Sequence, residues 1–404
     1  MTKKVRKFQA PVQPDLRPTI LSAMNTSTAL STPIALGPLT APNRIAMPPL
    51  VIWKADETGM VTDAHREHYA RSIGPGLMIV EATAIVPEGR LAASQLGIWS
   101  DEHTDGLRSL ATVIREAGAL AGIQIHHAGG STNLDRTCGL PPRVPTLRDT
   151  SPDGAQELTD EEIEALVAAF AAATRRALDA EFQVIELHGA HSYLISQFLS
   201  PETNQRAAPW GGSPEERQEF LRRVVQAARA EIVAAGREDS AALTVRLGAA
   251  ASSPRSLSVD DGIEAARTAV SAGADFLDIS NGGGVDEELG AEIQQRAGNN
   301  TFTPTFLLAS LVKQAVDVPV VGVNGIVTPD QAMAALTEGL ADMVAVGRGI
   351  LADPGWARKA LGSDTTPIEP CQQCRPRCFW FKEPERCPAR RALAKRGEQE
   401  PVWW

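Results

Sequence analysis

The chain has 404 residues, of which 43% are hydrophobic and 22% are charged. Its 39 basic and 49 acidic side chains give a formal net charge of −10. This charge argues against nucleic acid as the main partner, because binding a phosphate backbone requires an excess of lysine and arginine. The length fits two or three domains of about 150 residues, or one α/β barrel of roughly 250 residues with extensions.

No segment of the sequence is apolar enough to cross a membrane. The most apolar stretch, residues 165–173, is far shorter than the ~20 residues that a membrane span requires. Residues 1–30 begin with basic side chains and continue through prolines without the apolar core of a secretory signal, so we expect a mobile N-terminal tail. Four of the five cysteines lie beyond residue 370, which is unlike the disulfide framework of a secreted domain. We therefore expect a cytoplasmic protein with neither a membrane nor a nucleic-acid partner.

Short β-branched runs alternate with longer helical patterns from residue 44 onward, which is typical of βα units and a parallel sheet. Eight strands are predicted, at residues 44–47, 77–80, 123–126, 184–187, 243–247, 276–279, 318–323 and 343–346. Three helices are expected to begin at capping motifs: Thr159-x-x-Glu162, Ser213-Pro214-x-Glu216 and Thr328-Pro329-x-Gln331. We expect the α/β units to close into a (β/α)8 TIM barrel over residues 31–362, with an open doubly wound sheet as the less economical alternative.

Polar residues and glycines follow each predicted strand. A barrel brings all such strand ends to one face, where the active sites of this fold lie. Gly325 follows strand seven, and Gly347 and Arg348 follow strand eight, which is where barrels of this type hold a phosphate on backbone N–H groups. The alternative is that these glycines only serve the turns. The phosphate interpretation predicts a phosphorylated cofactor or substrate.

Four of the seven histidines crowd into two strand-end segments. His126 should point away from His127 along its strand, so we expect it to be a packed or hydrogen-bonded core residue. His188 and His191 are followed by Tyr193, one of only two tyrosines. The alternative for this pair is metal coordination in a barrel hydrolase, with Glu186 as a further ligand. The sequence thus predicts a site at the end of the fourth strand.

This site lies in a segment that resembles the Old Yellow Enzyme family of FMN-dependent ene-reductases. The longest matching run covers residues 188–213 and reads HGAHSYLISQFLSPETNQRAAPWGGS. Shorter pieces follow the family's order, and the similarity covers residues 32–361. These pieces are Pro42-Asn43-Arg44, Gln124-x-x-His127-Ala128-Gly129, Val245-Arg246, Gly325 and Gly347-Arg348.

The resemblance implies a set of FMN-binding residues. They are Pro48, Pro49, Ala82, Gln124, Arg246, Gly325, Gly347 and Arg348. Gln124 would hydrogen-bond the pyrimidine edge of the flavin, and Arg246 would stabilise the negative charge that reduced flavin carries near N1 and O2. Val51 stands where family members often place threonine or cysteine to hydrogen-bond the flavin, and valine cannot donate such a bond.

The same resemblance implies the catalytic residues. His188 and His191 would hold the carbonyl oxygen of an unsaturated substrate as negative charge develops on it. Tyr193 would protonate the carbon next to that carbonyl while flavin delivers hydride to the far carbon. The implied partners are a small-molecule substrate and NAD(P)H.

The spacing Cys371-x2-Cys374-x3-Cys378-x8-Cys387 is a metal-ligand spacing. It resembles the [4Fe-4S] segment of the 2,4-dienoyl-CoA reductase and trimethylamine dehydrogenase branch, with a shorter last gap. It predicts a metal-binding extension over residues 363–404 without the further dinucleotide-binding domain of those relatives. A zinc ion at the same cysteines is the alternative. Trp403 and Trp404 could pack against a second subunit, which would give a homo-oligomer.

The leading functional hypothesis is an FMN-dependent oxidoreductase that reduces an activated C=C bond. Its electrons would come from NAD(P)H directly or, through the iron–sulfur cluster, from an electron-transfer protein. Two alternatives remain open. The flavin could accept hydride in an amine dehydrogenase or demethylase, or the chain could be a metal-dependent barrel hydrolase with a zinc-binding tail.

Overall fold

The computed structural model describes residues 28–252, 257–281, 284–374, 378–381 and 383–398. The predicted tail over residues 1–30 lies outside these ranges except for its last three residues. Those three belong to a short helix, in which Leu30 is buried. Trp403 and Trp404 also lie outside the described residues.

The strands are β1 Ile34–Leu36, β2 Leu39–Ala41, β3 Ile45–Met47, β4 Leu77–Ala84, β5 Leu120–His126, β6 Arg143–Val144, β7 Gln156–Glu157, β8 Val184–Gly189, β9 Ala242–Leu247, β10 Phe276–Ile279, β11 Val320–Val323 and β12 Met343–Ala345. The α-helices are α1 Thr28–Ser31, α2 Asp63–Arg71, α3 Thr104–Glu116, α4 Asp160–Asp179, α5 Leu194–Leu199, α6 Pro214–Arg217, α7 Glu219–Ala234, α8 Val259–Ala272, α9 Glu287–Ala297, α10 Pro304–Lys313, α11 Pro329–Thr337, α12 Arg348–Ala352, α13 Trp356–Ala360 and α14 Pro388–Lys395. Turns of 3-10 helix cover Pro87–Gly89, Asp101–His103 and Pro384–Arg386.

Eight of the described strands form a closed parallel barrel in the order β3, β4, β5, β8, β9, β10, β11 and β12, and β12 pairs with β3 to close it. The predicted barrel and its eight strands are therefore confirmed. β4 runs further than predicted, through a register shift between Val80 and Thr83. β11 begins at Val320, two residues later than predicted, because Pro319 has no N–H for the ladder.

The predicted capping motifs begin three of the helices. In α4, α6 and α11 the Thr or Ser side chain accepts a hydrogen bond from the N–H three residues on, and a Glu or Gln side chain accepts one from the cap residue's own N–H. These reciprocal bonds satisfy N–H groups that a helix start leaves without partners. Helix boundaries could therefore be predicted from local sequence at these points.

A short antiparallel hairpin covers the amino-terminal end of the barrel. β1 and β2 pair with each other, and their buried side chains pack with the first residues of the barrel strands. The inward-facing apolar residues there include Leu77, Val184, Phe276 and Met343. Because this end is filled, only the carboxyl-terminal end of the barrel is available for a site.

The cysteine-rich extension packs beside the loops of the carboxyl-terminal end. Trp380 packs against Ile52 and Leu351, and Arg390 Nε donates to the Leu351 carbonyl at 2.8 Å. The extension is thus placed against the segments that follow β3 and β12. In the described part of the chain, no helix has both the length and the apolar character needed to cross a membrane.

Candidate active site

His188 and the loop that follows β8 place an aromatic cluster at the carboxyl-terminal end of the barrel. The ring of His188 lies 5.0 Å from that of His191 and 4.8 Å from that of Tyr193, between centroids. His191 and Ser192 have φ values of 62° and 59°, a left-handed conformation that non-glycine residues rarely adopt. Strained backbone of this kind is typical of functional sites. The structure therefore brings the three predicted catalytic residues together.

The loop is held to the neighbouring strand end by Gln197 of α5. Its Nε2 donates to the Ser192 carbonyl at 2.6 Å, and its Oε1 accepts from the Gly130 N–H at 3.0 Å. Leu194 N–H also donates to the His127 carbonyl. A Cβ on Gly130 would lie 2.8 Å from the Val144 side chain, so the two loops approach closely at this glycine. The loops after β5 and β8 thus form one packed unit.

Burial keeps the histidines of the cluster uncharged at neutral pH. Desolvation lowers the pKa of His191 to about 3, with a smaller contribution from the nearby Arg246 charge. Desolvation lowers the pKa of His188 well below 6.5, with smaller charge contributions from His191, His126 and Arg246. The Nδ1 atom of His188 lies 3.3 Å from the Ala190 N–H, which donates to it. The proton of His188 is therefore on Nε2, which makes that atom a donor.

Ser280 and Tyr193 supply two further hydroxyl groups. The Ser280 hydroxyl lies 2.9 Å from His191 Nε2 and fixes the orientation of that ring. Burial raises the pKa of Tyr193, so its phenol stays protonated at neutral pH. Ser280 is one of the polar residues that directly follow a predicted strand, but no role in the site was predicted for it. The cluster therefore contains neutral donors and no charged acid.

His126 packs under this cluster. Its ring lies 4.5 Å from Tyr193 and 5.3 Å from His188, between centroids. Neither ring nitrogen has a hydrogen-bond partner among the described residues. His126 is therefore the packed residue that strand alternation predicts, but not a hydrogen-bonded one.

A cavity of about 240 Å³ adjoins His191 at the same end of the barrel. Five of the eight predicted flavin residues line it: Pro48, Arg246, Gly325, Gly347 and Arg348. Leu50 and Gln373 also line it, and our sequence analysis assigned neither. A second cavity, of about 190 Å³, shares His191 and Asn281 with the first. Two adjoining cavities leave room for a cofactor and a substrate on either side of His191.

The other three predicted flavin residues are placed differently. Pro49 is half-buried and Ala82 is buried in β4, where the Ala82 carbonyl accepts from Gln95. Gln124 is buried in β5, and its Nε2 donates to Glu186 Oε1 at 2.8 Å. Gln124 thus binds a carboxyl group of the barrel interior, and flavin contact through it remains a prediction.

The polar atoms of the first cavity fit a phosphorylated flavin. Arg246 is 5% exposed, and its Nε and Nη1 atoms have no hydrogen-bond acceptor among the described residues, although Nη1 lies 3.1 Å from Asp278 Oδ2. Buried N–H groups of this kind require an acceptor. Gly325 has φ 79°, and a Cβ there would lie 2.8 Å from Thr303. The cavity therefore offers a cation, free donors and closely approaching backbone.

Glu186 does not join His188 and His191 in a ligand set. It is bound to Gln124 and interacts with Asp278 and Arg246 inside the barrel. Within the described residues, no group of three or more His, Cys, Asp or Glu side chains is arranged to hold a metal ion. In the described geometry, therefore, neither these histidines nor the four cysteines predicted as metal ligands, Cys371, Cys374, Cys378 and Cys387, are arranged as a metal site.

The four cysteines of the extension line one cavity. Cys371, Cys374, Cys378 and Cys387 form its walls together with Arg348 and Trp380. Burial raises the pKa of Cys378 and of Cys387. Cys371, Gln373 and Arg348 also line the larger cavity beside His191. The two cavities therefore share a wall.

The described geometry agrees with comparisons with known proteins. Residues 29–363 match the NADH:flavin oxidoreductase / NADH oxidase family. The chain is 38% identical to an NADPH dehydrogenase of Geobacillus sp. (strain WCH70), over 83% of this chain and 95% of that protein. It is 35% identical to an NADH oxidase of Thermoanaerobacter brockii, over 85% of this chain and 52% of that protein.

Solved structures show the same relationship. An Old Yellow Enzyme homologue from Zymomonas mobilis is 29% identical, with a TM-score of 0.71 over 84% of this chain and 94% of that chain. A 2-naphthoyl-CoA reductase is 26% identical, with a TM-score of 0.78 over 88% of this chain and 56% of that chain. These matches confirm the predicted resemblance to the Old Yellow Enzyme family. The chain therefore belongs to the NADH:flavin oxidoreductase / NADH oxidase family and is an FMN-dependent enzyme of that family.

Proposed function

We propose that this enzyme uses NAD(P)H to reduce the C=C bond of an α,β-unsaturated carbonyl compound or a related activated alkene. The observation that carries the proposal is that His188, His191 and Tyr193 form one cluster beside the cavity of Arg246, Gly325 and Gly347. The similarity to NADPH dehydrogenases supports the choice of donor. The substrate would occupy the second cavity, which meets the first at His191.

The residues of the first cavity would hold FMN. The Gly325 and Gly347 backbone and the exposed Arg348 guanidinium would bind its phosphate, since N–H groups and a cation suit that charge. Arg246 would meet the pyrimidine part of the ring with the N–H groups that have no acceptor within the described protein. Pro48, Pro49 and Ala82 would pack along the ring, and Gln124 would reach its pyrimidine edge. Bound FMN supplies the hydride of the reaction.

The cluster residues would activate the substrate. His188 Nε2–H and an N–H of His191 donate to the carbonyl oxygen and stabilise the negative charge that develops on it. These imidazoles are neutral, so each donates a hydrogen bond without giving up its proton. Tyr193 is protonated and donates its phenolic proton to the carbon next to the carbonyl.

Anaerobic absorption spectroscopy tests this proposal. Purified protein should carry FMN, NADPH should bleach the flavin absorbance, and 2-cyclohexenone should restore it. A protein that folds, yet neither contains FMN nor binds added FMN, would disprove the proposal. A flavin that NADPH reduces, but that no unsaturated carbonyl compound reoxidises, would disprove the substrate assignment alone.

A second proposal concerns the electron route. We propose that the four cysteines hold a [4Fe-4S] cluster that exchanges electrons with FMN and with an external electron-transfer protein. The observations that support it are the cysteine spacing, the single cavity that the four cysteine residues line, and the wall that this cavity shares with the cavity proposed for FMN. Iron, sulfide and zinc analysis distinguishes the cluster from the zinc alternative.

Oxidation of an amine by the same flavin is the competing reaction. A histamine dehydrogenase from Rhizobium sp. 4-9 is 25% identical to this chain, with a TM-score of 0.72. The two imidazoles favour the reductive direction. They are neutral and donate hydrogen bonds to an oxygen, and they carry no negative charge that would bind a cationic amine. Steady-state assays with histamine and an artificial acceptor would detect the oxidative reaction.

A further inference from the structure

Four polar side chains from neighbouring strands form a buried network next to the proposed flavin site. Gln124 of β5 donates to Glu186 of β8, and Arg246 of β9 lies 3.1 Å from Asp278 of β10. The strand register explains the grouping, because Gln124 is opposite Glu186 and Arg246 is opposite Asp278. Glu186 is 0% exposed and Asp278 is 1% exposed, so water does not solvate either carboxyl group.

The two carboxyl groups interact with each other inside the barrel. Glu186 Oε2 and Asp278 Oδ1 have no hydrogen-bond partner among the described residues when both groups are treated as carboxylates. Two carboxylates repel each other, whereas a proton on one of them turns the contact into a hydrogen bond. A shared proton would therefore satisfy the geometry on both sides.

The charge count leads to the same conclusion. With both carboxyl groups ionised, two negative charges would face the single positive charge of Arg246. The network would then bury a net charge of −1, which is costly in a site of low polarity. Burial and the Asp278 charge raise the pKa of Glu186 well above its usual range, and burial raises that of Asp278. The histidines that interact with Arg246 are His188 and His191. Burial lowers the pKa of both, so they remain neutral and cannot balance the charge.

We propose that Glu186 and Asp278 share one proton while the flavin is oxidised, and that they take up a second proton from solvent when it is reduced. This inference rests on the proposed function, in which Arg246 faces the flavin. Hydride transfer from NAD(P)H brings two electrons and one hydrogen to the flavin, which gains one negative charge. The solvent proton neutralises the remaining carboxylate, so that the positive charge of Arg246 is no longer balanced by Asp278 and faces the flavin instead. The proton is released when hydride passes to the substrate.

The test measures the number of protons bound per two electrons. The midpoint potential of the FMN in the full-length holoenzyme is followed against pH on the alkaline side of neutrality, and the slope gives the proton count. The wild-type enzyme should bind two protons per two electrons, one on the flavin and one on the carboxyl pair. Glu186→Gln cannot share a proton and should reduce the count to one. Asp278→Asn should do the same.

Asp275→Asn is the matched control. Asp275 precedes the same strand at the far end of the barrel, where it pairs with Arg229, and this change should leave the proton count at two. A count of one in the wild-type enzyme would overturn the inference while leaving the proposed function intact. Loss of FMN from the wild-type enzyme would instead contradict the proposed function.

A second readout covers variants that fail to fold. The infrared difference spectrum of reduced minus oxidised wild-type enzyme should gain a protonated carboxyl band that shifts in D2O. A spectrum without any new carboxyl band would contradict the inference, whatever the variants do. Either measurement can be made without turnover of a substrate.

Discussion

Tyr193 is the residue whose protonation most directly separates the two halves of the proposed reaction. Tyr193→Phe should leave FMN bound and its reduction by NADPH unchanged, because neither step uses the phenol. Reoxidation by 2-cyclohexenone should slow by roughly 10²- to 10⁴-fold, the usual contribution of a positioned general acid. Stopped-flow absorbance under anaerobic conditions measures the two half-reactions separately.

The other tyrosine of the chain is the matched control. The Tyr69 hydroxyl accepts from the Glu81 N–H at 2.9 Å, outside the cluster. Tyr69→Phe should lower the free energy of unfolding by about 1 kcal/mol through loss of this hydrogen bond, and it should leave both half-reactions intact. Equal reoxidation rates in Tyr193→Phe and wild-type enzyme would remove Tyr193 from the proton-donor role.

Among the elements, α8 makes an unusually close contact with the loop that follows β9. A Cβ built on Gly262 would lie 1.9 Å from the Ala249 carbonyl oxygen. Gly262→Ala should therefore push α8 away and lower the free energy of unfolding by more than roughly 2 kcal/mol, as overpacking does. It should also weaken substrate binding, because Gly248, Ala250 and Ala251 of this loop line the second cavity. Urea unfolding and the KM for 2-cyclohexenone measure the two effects.

Gly290 in α9 is the control for Gly262, because the same Gly→Ala substitution is made within a helix at both positions. A Cβ there would meet its nearest neighbour, Pro304, at 3.4 Å, which is an ordinary contact. Gly290→Ala should be neutral or stabilise the protein by up to about 1 kcal/mol, because alanine favours a helix more than glycine does. If both variants unfold at the same urea concentration, the contact between α8 and the loop is not a determinant of stability.

The extension makes its own prediction about metal content. Cys374→Ser should abolish the bound iron and the brown absorbance, while the yellow FMN absorbance remains. The reason is that Cys374 lines the cavity of the four cysteines but not the cavity proposed for FMN. Cys138→Ser changes the exposed cysteine outside the group and should leave iron and flavin unchanged. Unchanged iron in Cys374→Ser, or stoichiometric zinc in the wild-type protein, would exclude the cluster.

For the whole molecule, buried neutral histidines predict sensitivity to acid. Burial lowers the pKa of His68, His127 and His191 to about 3, and that of His126 and His188 well below 6.5. Below the unfolded pKa of about 6.5, the unfolded chain binds protons that the folded protein does not. Stability is therefore present above that pH and is lost as the pH falls, by up to about 1.4 kcal/mol per pH unit for each histidine. The raised pKa values of Glu186 and Asp278 have the opposite effect, because these groups bind protons in the folded protein at a higher pH than in the unfolded chain. They offset part of the stability that is lost as the pH falls.

Urea unfolding across this range checks the prediction. The free energy of unfolding should drop steeply between about pH 7 and pH 5, where histidines of the unfolded chain protonate. His68 lies outside the catalytic cluster, against Trp380. His68→Gln should reduce the steepness by the contribution of one proton, whatever it does to stability at neutral pH. A free energy that stays constant over the range would contradict the neutral, buried assignment.

At the scale of elements, much of the fold could be predicted because the signals are local. Capping residues such as Thr159 with Glu162 interact across one helical turn, so the sequence shows them directly. Strand ends could also be located from β-branched runs and the glycines that follow. The structure departs from the predicted elements where a strand's bounds depend on its pairing with a neighbouring strand. The register shift within β4 depends on β5, which no local pattern of residues 77–84 reveals.

At the scale of the site, the motif around His188 predicted a catalytic cluster, and the structure places the His188 ring 5.0 Å from that of His191 and 4.8 Å from that of Tyr193. The Ser280 contact with His191 was not predicted, since those residues are 89 positions apart. Gln124 was assigned to flavin by resemblance, whereas its amide binds Glu186 in the described structure. The hydrogen-bond partner of Gln124 depends on which strand pairs with β5, and strand pairing is a property of the folded barrel.

For this protein, the linear order of residues was sufficient to determine the barrel and the end of the barrel at which polar residues and glycines gather. These two features follow from periodicity, capping and spacing, which act over a few residues. The flavin-binding and catalytic residues were implied by the family resemblance and stay predictions. Only closure of the barrel decided that Glu186 meets Asp278 and Arg246, and that Cys371 and Arg348 border both cavities. Contacts of this kind depend on strand register and on the docking of the extension, and both are set by burial across the whole molecule.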